Sequence, residues 1–199
     1  MTNLFCGSTS RIVGFRFSLY PMSDQFVEVI TSTLAKTDTT KVWMQTDDIS
    51  TCIRGKMEHV FDVAKAVYLH AANTGKHVVL NGTFSIGCPG DSDGDTYMSE
   101  DDVRSNEEKV ADIHIEAPTQ FALYPMNEGD YMPIIADVVE IANEKGTLTG
   151  GIHYASRLDG DAHDVFATLE EVFRFTQEKV SHVTMTVNAA ANSPSRKNR

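Results

Sequence analysis

Apolar and polar residues alternate near the start of the chain in the pattern of a β-strand. Between residues 12 and 20, one side of the predicted strand carries Phe15, Phe17 and Leu19, and the other side carries mainly polar residues. This is the period-two pattern of a strand with one buried face. Pro21 ends the strand, Ser23 is a suitable helix N-cap, and apolar residues then recur at helical spacing. The segment predicts a strand followed by a helix.

Four further segments complete a six-element unit. Residues 42–44 and 49–53 have the pattern of two short strands, residues 57–71 carry an apolar stripe at helical spacing, and residues 77–84 form a closing strand. The order strand, helix, strand, strand, helix, strand is that of a ferredoxin-like βαββαβ unit. We therefore predict an α+β fold in which helices cover one face of an antiparallel sheet.

The unit occurs twice. The run FSLYPM at residues 17–22 returns as FALYPM at residues 121–126, and GKMEHVF at residues 55–61 is echoed by GDAHDVF at residues 160–166. A period of this length exceeds that of solenoid repeats and indicates a tandem duplication of a small domain. We place the first unit at residues 10–86, an acidic connector at 87–116, the second unit at 117–190 and a basic tail at 191–199. In the second unit Pro133 fits the first turn of a helix capped by Asp130.

Composition excludes several classes of function. The 199-residue chain has a formal net charge of −11, which argues against general affinity for nucleic acid or anionic membranes. Cys6, Cys52 and Cys88 are odd in number and widely spaced, so neither a disulfide framework nor a zinc ribbon is indicated. We expect a cytoplasmic protein. No stretch approaches the roughly 20 apolar residues of a membrane span, and no signal-peptide pattern precedes the first unit.

Two polar stretches raise the question of a metal site. Residues 91–95 (DSDGD) resemble a calcium loop, but glycine stands at position 4 rather than 6, and Asp102 replaces the glutamate of position 12. The second stretch surrounds the start of a predicted helix and contains Asp159, Asp161, His163 and Asp164. Helix capping and the helix dipole account for these residues. We therefore predict no metal site.

The sequence gives no support for an enzyme. Cys88 is a candidate nucleophile, but the second unit has no matching cysteine and no His or Asp is tied to Cys88 by sequence, so we expect a small buried thiol. No Ser-His-Asp order, phosphate-binding Gly loop or CxxC motif occurs. We predict no catalytic residues and no cofactor.

A hydroxyl group lies on the predicted apolar face at matching positions of the two units. Thr51 follows Ile49 by two residues, and Ser156 follows Tyr154 by two residues. All four side chains are expected to face the helices. A buried hydroxyl without a partner costs roughly 1–3 kcal/mol. Either a neighbouring backbone carbonyl satisfies each hydroxyl, or a small ligand does so between the sheet and the helices.

The Leu-Tyr-Pro turn offers further polar groups beside each hydroxyl. Pro21 and Pro125 have no N–H and end the ladder of the opening strand. We expect this to leave main-chain groups of Leu19 and Leu123 available. The place where the opening strand meets its helix is therefore the candidate binding site in both units.

Five runs of sequence are distinctive. They are residues 14–22 (GFRFSLYPM), 81–91 (NGTFSIGCPGD), 121–128 (FALYPMNE), 153–156 (HYAS) and 192–199 (NSPSRKNR). Together they resemble the YkoF family of thiamin and hydroxymethylpyrimidine (HMP) binding proteins, over nearly the whole chain. The resemblance implies tandem ferredoxin-like repeats akin to ACT domains, a homodimer, one ligand site per repeat, and a role in salvage of thiamin precursors beside a membrane transporter.

The implied ligand gives the polar residues a role. An aminopyrimidine sets an amino donor beside a ring-nitrogen acceptor, which an adjacent C=O and N–H plus one hydroxyl can recognise. The expected contacts are Leu19 with Thr51 and Leu123 with Ser156. Burial of the ring against aromatic side chains adds affinity, and the candidates are Phe17, Tyr20, Phe121 and Tyr124. Asp47 and Asp48 are candidate neighbours of the thiazolium cation of thiamin.

Three functions from different classes follow from these observations. The leading interpretation is a non-catalytic thiamin or HMP binding protein, in which replacement of Thr51 and Ser156 by valine abolishes binding and Cys88→Ala has no effect. The alternatives are an ACT-like regulatory module for another metabolite, such as an amino acid, and a hydrolase that uses Cys88. Because the repeats differ around the candidate sites, we predict unequal affinities. The differing pairs are Ser18 and Ala122, and Arg16 and Gln120.

Overall fold

The described part of the protein contains eight strands and five helices. The computed structural model describes residues 12–88, 91–126 and 128–195. The first repeat and connector contain β1 (Val13–Pro21), α1 (Phe26–Lys36), β2 (Trp43–Thr46), β3 (Thr51–Gly55), α2 (Met57–Ala72), β4 (Val78–Ile86) and the short helix α3 (Glu107–Val110). The second repeat contains β5 (Thr119–Met126), α4 (Met132–Glu144), β6 (Leu148–Ile152), β7 (Ala155–Leu158), α5 (Ala162–Lys179) and β8 (His182–Ala191). The predicted order of elements is confirmed in both repeats.

Some of the sequence predictions fall outside the described residues. These are the start of the first unit at residues 10 and 11, Cys6, residues 89–90 beside Cys88, residue 127, and the last four residues of the basic tail.

All eight described strands belong to one antiparallel sheet. Their order is β2-β3-β1-β4-β8-β5-β7-β6. The closing strands β4 and β8 pair from Val78↔Ala191 to Ile86↔Val183, so the two repeats join at the centre of the sheet. This pairing satisfies the backbone edge that each repeat would expose if it stood alone. The repeats therefore share one continuous sheet.

The two repeats also share one hydrophobic core on the helical face of the sheet. Phe84 stacks on Phe15 with ring centroids 3.9 Å apart and on Phe61 at 4.2 Å, and Phe61 meets Phe173 of the second repeat at 5.9 Å. The buried Tyr68 donates its hydroxyl proton to the carbonyl oxygen of Ala190 at 2.9 Å. Aromatic contacts and a buried hydrogen bond thus cross from one repeat to the other.

Two helix starts differ from the sequence predictions. Ser23 does not cap α1, which begins at Phe26; its hydroxyl instead accepts a hydrogen bond from the Gln25 N–H at 3.2 Å. The N-cap of α4 is Tyr131 rather than Asp130. Pro133 lies in the first turn, as predicted, because the N–H groups of this turn need no intrahelical partner.

The predicted positions of Ile49 and Tyr154 on the helix-facing side are wrong. Both residues lie in the hairpin turns that precede β3 and β7, where Ile49 is 80% exposed and Tyr154 is 98% exposed. Asp47 explains the first case, since its Oδ1 accepts hydrogen bonds from the N–H groups of Ile49 and Ser50 and so builds a turn in place of strand. Tyr154 has a φ of 68°, which takes it out of the strand conformation.

The DSDGD segment of the connector encloses the guanidinium group of Arg54. The carbonyl oxygens of Ser92 and Asp95 accept hydrogen bonds from Arg54 at 2.6 and 3.0 Å, that of Gly94 also accepts one, and the Asp91 carboxylate lies 2.9 Å away. Arg54 is buried by these contacts. The oxygen-rich segment that resembles a calcium loop therefore binds a side-chain cation from β3.

Asn106 fastens the connector to the first repeat. Its side chain accepts a hydrogen bond from the Asp38 N–H at 2.7 Å and donates to the Asp38 carbonyl at 2.9 Å and the Asp62 carboxylate at 2.8 Å. Asn106 is fully buried and Asp62 nearly so. The connector is thus part of the folded first repeat. No helix among the described residues is long and apolar enough to cross a membrane.

Candidate functional site

A cavity of about 890 Å³ lies beside the end of β5 in the second repeat. Its walls come from β5, from the sheet-facing side of α4 and from the turn between β6 and β7. The lining includes four of the predicted site residues, namely Phe121, Leu123, Tyr124 and Ser156. The volume is within the range of roughly 300–1,000 Å³ that is usual for small-molecule sites. The structure thus brings the second set of predicted residues together.

The main chain of Leu123 directs both its polar groups toward the cavity side of β5. In an antiparallel pair, the N–H and C=O of one residue point to the same side, and the side alternates along the strand. The carbonyl of Pro118 accepts a hydrogen bond from Ala190 N beside β8, so the odd-numbered residues of β5 point toward β7. The β7 ladder ends at the Phe121↔Ser156 pair. Leu123 therefore points past the end of β7.

The Ser156 side chain is the polar group nearest this edge. It lies opposite Phe121, on the helix-facing side of the sheet, and is partly exposed to the cavity. One hydroxyl, one N–H and one C=O consequently border a cavity whose remaining walls are mostly apolar.

The first repeat has the same main-chain arrangement. The N–H of Met22 donates to the carbonyl of His77 beside β4 at 2.8 Å, so the odd-numbered residues of β1 point toward β3. The β3 ladder ends at Phe17↔Thr51. The N–H and C=O of Leu19 accordingly point past the end of β3, in the same relation to Thr51 as Leu123 has to Ser156.

The side chains around the first site have contacts of their own. The Thr51 hydroxyl bonds the Thr46 hydroxyl of the adjacent strand at 2.9 Å, a side-chain partner rather than the backbone carbonyl considered from the sequence. Phe17 is buried and stacks on Phe15 with ring centroids 5.1 Å apart. Leu19 packs against a small apolar cluster that includes Val29. Tyr20, like Tyr124, is about half exposed at the strand end.

A set of hydrogen bonds, here called the β2–β3 latch, holds the turn of the first repeat against β1. The Ser18 hydroxyl donates to the Ile49 carbonyl at 3.1 Å, and the Arg16 guanidinium donates to the Ser50 hydroxyl at 2.9 Å and the Asp47 carboxylate at 3.1 Å. The Asp47 carboxylate therefore stabilises the turn. Its place beside a bound cation stays a prediction. Hydrogen bonds from the Ser50 and Ile49 N–H groups lower the pKa of Asp47, and the Arg16 guanidinium lowers it further.

The second repeat cannot form the same latch. Ala122 and Gln120 stand where the first repeat has Ser18 and Arg16, and the turn offers Ile152 and Ala155 in place of Asp47 and Ser50. The alignment follows from the register, in which Gly151↔Ser156 matches Thr46↔Thr51. The turn between β6 and β7 therefore lacks these bonds, and its residues Tyr154 and Ala155 line the cavity.

Sequence reasoning missed the helical wall of each site. In the second repeat, the cavity is lined by Tyr131, the N-cap of α4, and by Ile135 and Val138 of the helix itself. The equivalent of Val138 in the first repeat is Thr33, which is 1% exposed and whose hydroxyl has no hydrogen-bond partner in the described part of the chain. The sequence does contain a signal for this difference. When α1 is aligned with α4 at constant spacing, polar Thr33 stands at the position of apolar Val138.

Large apolar side chains are exposed around both candidate sites. Around the second, Tyr131 and Met132 of α4 are 47% and 60% exposed. Their counterparts in the first repeat, Phe26 and Val27, are 51% and 58% exposed. Exposed apolar groups that cluster beside a cavity are typical of binding surfaces. Both repeats therefore carry the same apolar rim.

Cys88 lies away from this arrangement. It is exposed directly after β4, so the expectation of a buried thiol is wrong. The reason is its place beyond the last β4–β8 pair, where the chain leaves the sheet for the connector.

Comparison with known proteins agrees with the repeat structure. The model of the YKOF-related family matches residues 12–91 and again residues 116–196, one match for each repeat. The chain is also 66% identical over 194 residues to the protein named "Putative HMP/thiamine-binding protein YkoF" of Bacillus subtilis (strain 168). That alignment covers 98% of this chain and 96% of the Bacillus protein.

Proposed function

The chain belongs to the YkoF family, and on that basis we propose that it binds thiamin or its HMP half without catalysing a reaction. The observation that supports this most directly is the cavity at the end of β5. There the Leu123 main chain and the Ser156 hydroxyl lie at the edge of an apolar cavity. The name of the Bacillus relative supplies the ligand class.

An aminopyrimidine matches these groups. Its amino group donates to the carbonyl of Leu123, its adjacent ring nitrogen accepts from the N–H of Leu123, and Ser156 bonds the remaining polar edge. Each such bond contributes only roughly 0.5–1.5 kcal/mol. Most of the affinity therefore comes from burial of the ring between Phe121 and the apolar side of α4.

Each repeat holds one site, and the two sites differ in affinity. The support for a site in the first repeat is the matching direction of the Leu19 main chain beside Thr51, together with the matching apolar rim. The support for unequal affinity is the β2–β3 latch and the exchange of Val138 for Thr33, because both change the shape and polarity of the first site.

The wider role is the delivery or storage of thiamin precursors in a cytoplasmic salvage pathway, beside a membrane transporter. The protein acts as a homodimer. These statements rest on the family resemblance. Sedimentation equilibrium of the full chain tests the homodimer, since a monomer mass at micromolar concentration contradicts it.

The binding proposal is tested by calorimetric titration with thiamin and HMP, alongside a thermal-shift panel that includes amino acids. A ligand that binds only the native state raises the melting temperature. We expect thiamin or HMP to do so, with two unequal sites per chain. A rise with an amino acid alone would favour an ACT-like regulatory module instead.

Two variants test which binding event belongs to which repeat, namely Ser156→Ala and Thr51→Val. Each variant removes one hydroxyl. Each is expected to weaken one of the two binding events by about tenfold rather than abolish it, since one hydrogen bond contributes at most about 1.5 kcal/mol and 1.4 kcal/mol corresponds to a factor of ten. Ser85→Ala is the matched control, because Ser85 lies on β4 with its side chain on the opposite face of the sheet. Equal affinities in all three variants would contradict the assignment of the sites.

A further inference from the structure

We propose that His114, Asp161 and His163 form a binding site for a divalent transition-metal ion, best matched by Zn²⁺, where the connector meets the start of α5. Each residue offers one ligand atom, and these atoms all lie within 4.8 Å of one another. The site is separate from the candidate ligand cavity, whose lining includes none of the three.

The distances suit a small ion. His114 Nδ1 lies 3.1 Å from Asp161 Oδ2, and the two imidazole rings have centroids 5.7 Å apart. Around a tetrahedral ion with bonds of roughly 2.0–2.2 Å, ligand atoms are about 3.3 Å apart. One pair already has this spacing, and all three ligand atoms lie within 4.8 Å of one another. His114 is mostly exposed, which leaves a path of entry and room for a water ligand.

Backbone hydrogen bonds hold the ligands in place. Ala162 N donates to the Ile115 carbonyl and Ala117 N to the Gly160 carbonyl, each at 2.8 Å, so the segment after His114 is tied to the start of α5. Asp161 is the N-cap of α5, as the sequence suggests, and its Oδ1 accepts a hydrogen bond from His163 N at 2.9 Å. Its other oxygen is thereby directed at His114. A preorganised set of ligands loses little conformational freedom on binding.

His163 has a ring nitrogen that the protein leaves unused. In the described part of the chain, its Nε2 is buried and has no hydrogen-bond partner. Buried polar atoms without partners are rare in native proteins and call for an explanation such as an ion. A cation that binds through Nε2 of His163 provides such a partner.

The first repeat shows that the fold does not require this cluster. Lys56 and Glu58 stand at the positions of Asp161 and His163, and α2 begins there without a side-chain cap. The Lys56 ammonium group forms an ion pair with Asp102 instead. The three residues are thus a feature of the second repeat and the connector. Two imidazoles and one carboxylate with an open position favour Zn²⁺ and similar ions over Ca²⁺ or Mg²⁺.

Titration of metal-free protein with Co²⁺ tests the proposal, with visible absorption reporting the coordination geometry and Zn²⁺ competition reporting the affinity. No thiamin is needed. We expect one saturable ion per chain and at least tenfold weaker binding in His114→Ala and in His163→Ala. Asp161→Asn is the informative third variant, because asparagine caps a helix as well as aspartate does but lacks the charge. It should weaken metal binding while far-UV circular dichroism stays unchanged.

His153→Ala is the matched control, since His153 is exposed on the turn between β6 and β7 and lies outside the cluster. Its affinity for Co²⁺ should equal that of the unchanged protein. Absence of saturable binding, or binding that persists undiminished in the three cluster variants, overturns the proposal.

Discussion

The β2–β3 latch can be removed by giving the first repeat the residues of the second. In the double variant Arg16→Gln and Ser18→Ala, the turn loses the bond from Ser18 to the Ile49 carbonyl and the bond from Arg16 to the Ser50 hydroxyl. Solvent-exposed bonds of this kind contribute roughly 0.5–1 kcal/mol each. The exposed ion pair between Arg16 and Asp47 is assigned no contribution to the stability of the turn. The total is about 1–2 kcal/mol of local stability.

This loss should be visible as faster hydrogen exchange. A free-energy change of about 1–2 kcal/mol raises the population of the open turn by roughly 5- to 30-fold. The reporting amides are those of Ile49 and Ser50, which donate to the Asp47 carboxylate in the closed turn. Exchange measured by NMR should accelerate by this factor at both amides and stay unchanged in the turn between β6 and β7.

A control variant separates the latch from general effects of charge. Gln120→Arg places a guanidinium on β5, but the facing turn offers Ile152 and Ala155, so no latch forms and exchange there should not slow. Unchanged exchange at residues 49 and 50 in the double variant would refute the reasoning. If the proposed ligand sites are correct, the double variant should also bring the affinity of the first site closer to that of the second.

Three further predictions concern stability, measured by urea denaturation. Gly82→Ala should destabilise the protein by about 2 kcal/mol, because an added Cβ lies 2.4 Å from the ring of Phe15; a change below about 0.5 kcal/mol would contradict this. Asn106→Ala should lower the free energy of unfolding by about 3 kcal/mol, since it removes three hydrogen bonds of a buried side chain, one of them to the Asp62 carboxylate. A loss of stability under about 1 kcal/mol would show that water replaces the side chain. Hydrogen bonds from the hydroxyl and N–H of Thr40, aided by Lys109, lower the pKa of Asp38 to about 2. Asp38→Asn should therefore lower the free energy of unfolding by roughly 1 kcal/mol near neutral pH, after allowance for solvent screening. This difference between the variant and the unchanged protein should disappear as the pH falls from about 4 through about 2, because the folded protein then also protonates Asp38. A difference in stability that persists at pH 2 would contradict this account.

The repeat and the order of elements can be predicted from the sequence alone, and four of the predicted site residues line one cavity in the structure. Strand and helix periods are local properties, so alternation and helical spacing identify these elements without knowledge of the fold. The matching runs at residues 17–22 and 121–126 pick out Leu123, and the correspondence of Ser156 with Thr51 picks out the hydroxyl. The structure brings both residues to the same cavity. Turn residues such as Ile49 were assigned wrongly because Asp47 competes with the strand through its own hydrogen bonds.

How the repeats meet, and which distant residues contact each other, becomes apparent only in the folded structure. The pairing of β4 with β8 joins residues far apart in sequence, and no local period indicates which edges pair. For the same reason, the sequence did not show that the DSDGD segment encloses Arg54, or that His114 of the connector reaches Asp161. Such contacts depend on the register of the sheet and the path of the connector, which are set by packing of the whole chain.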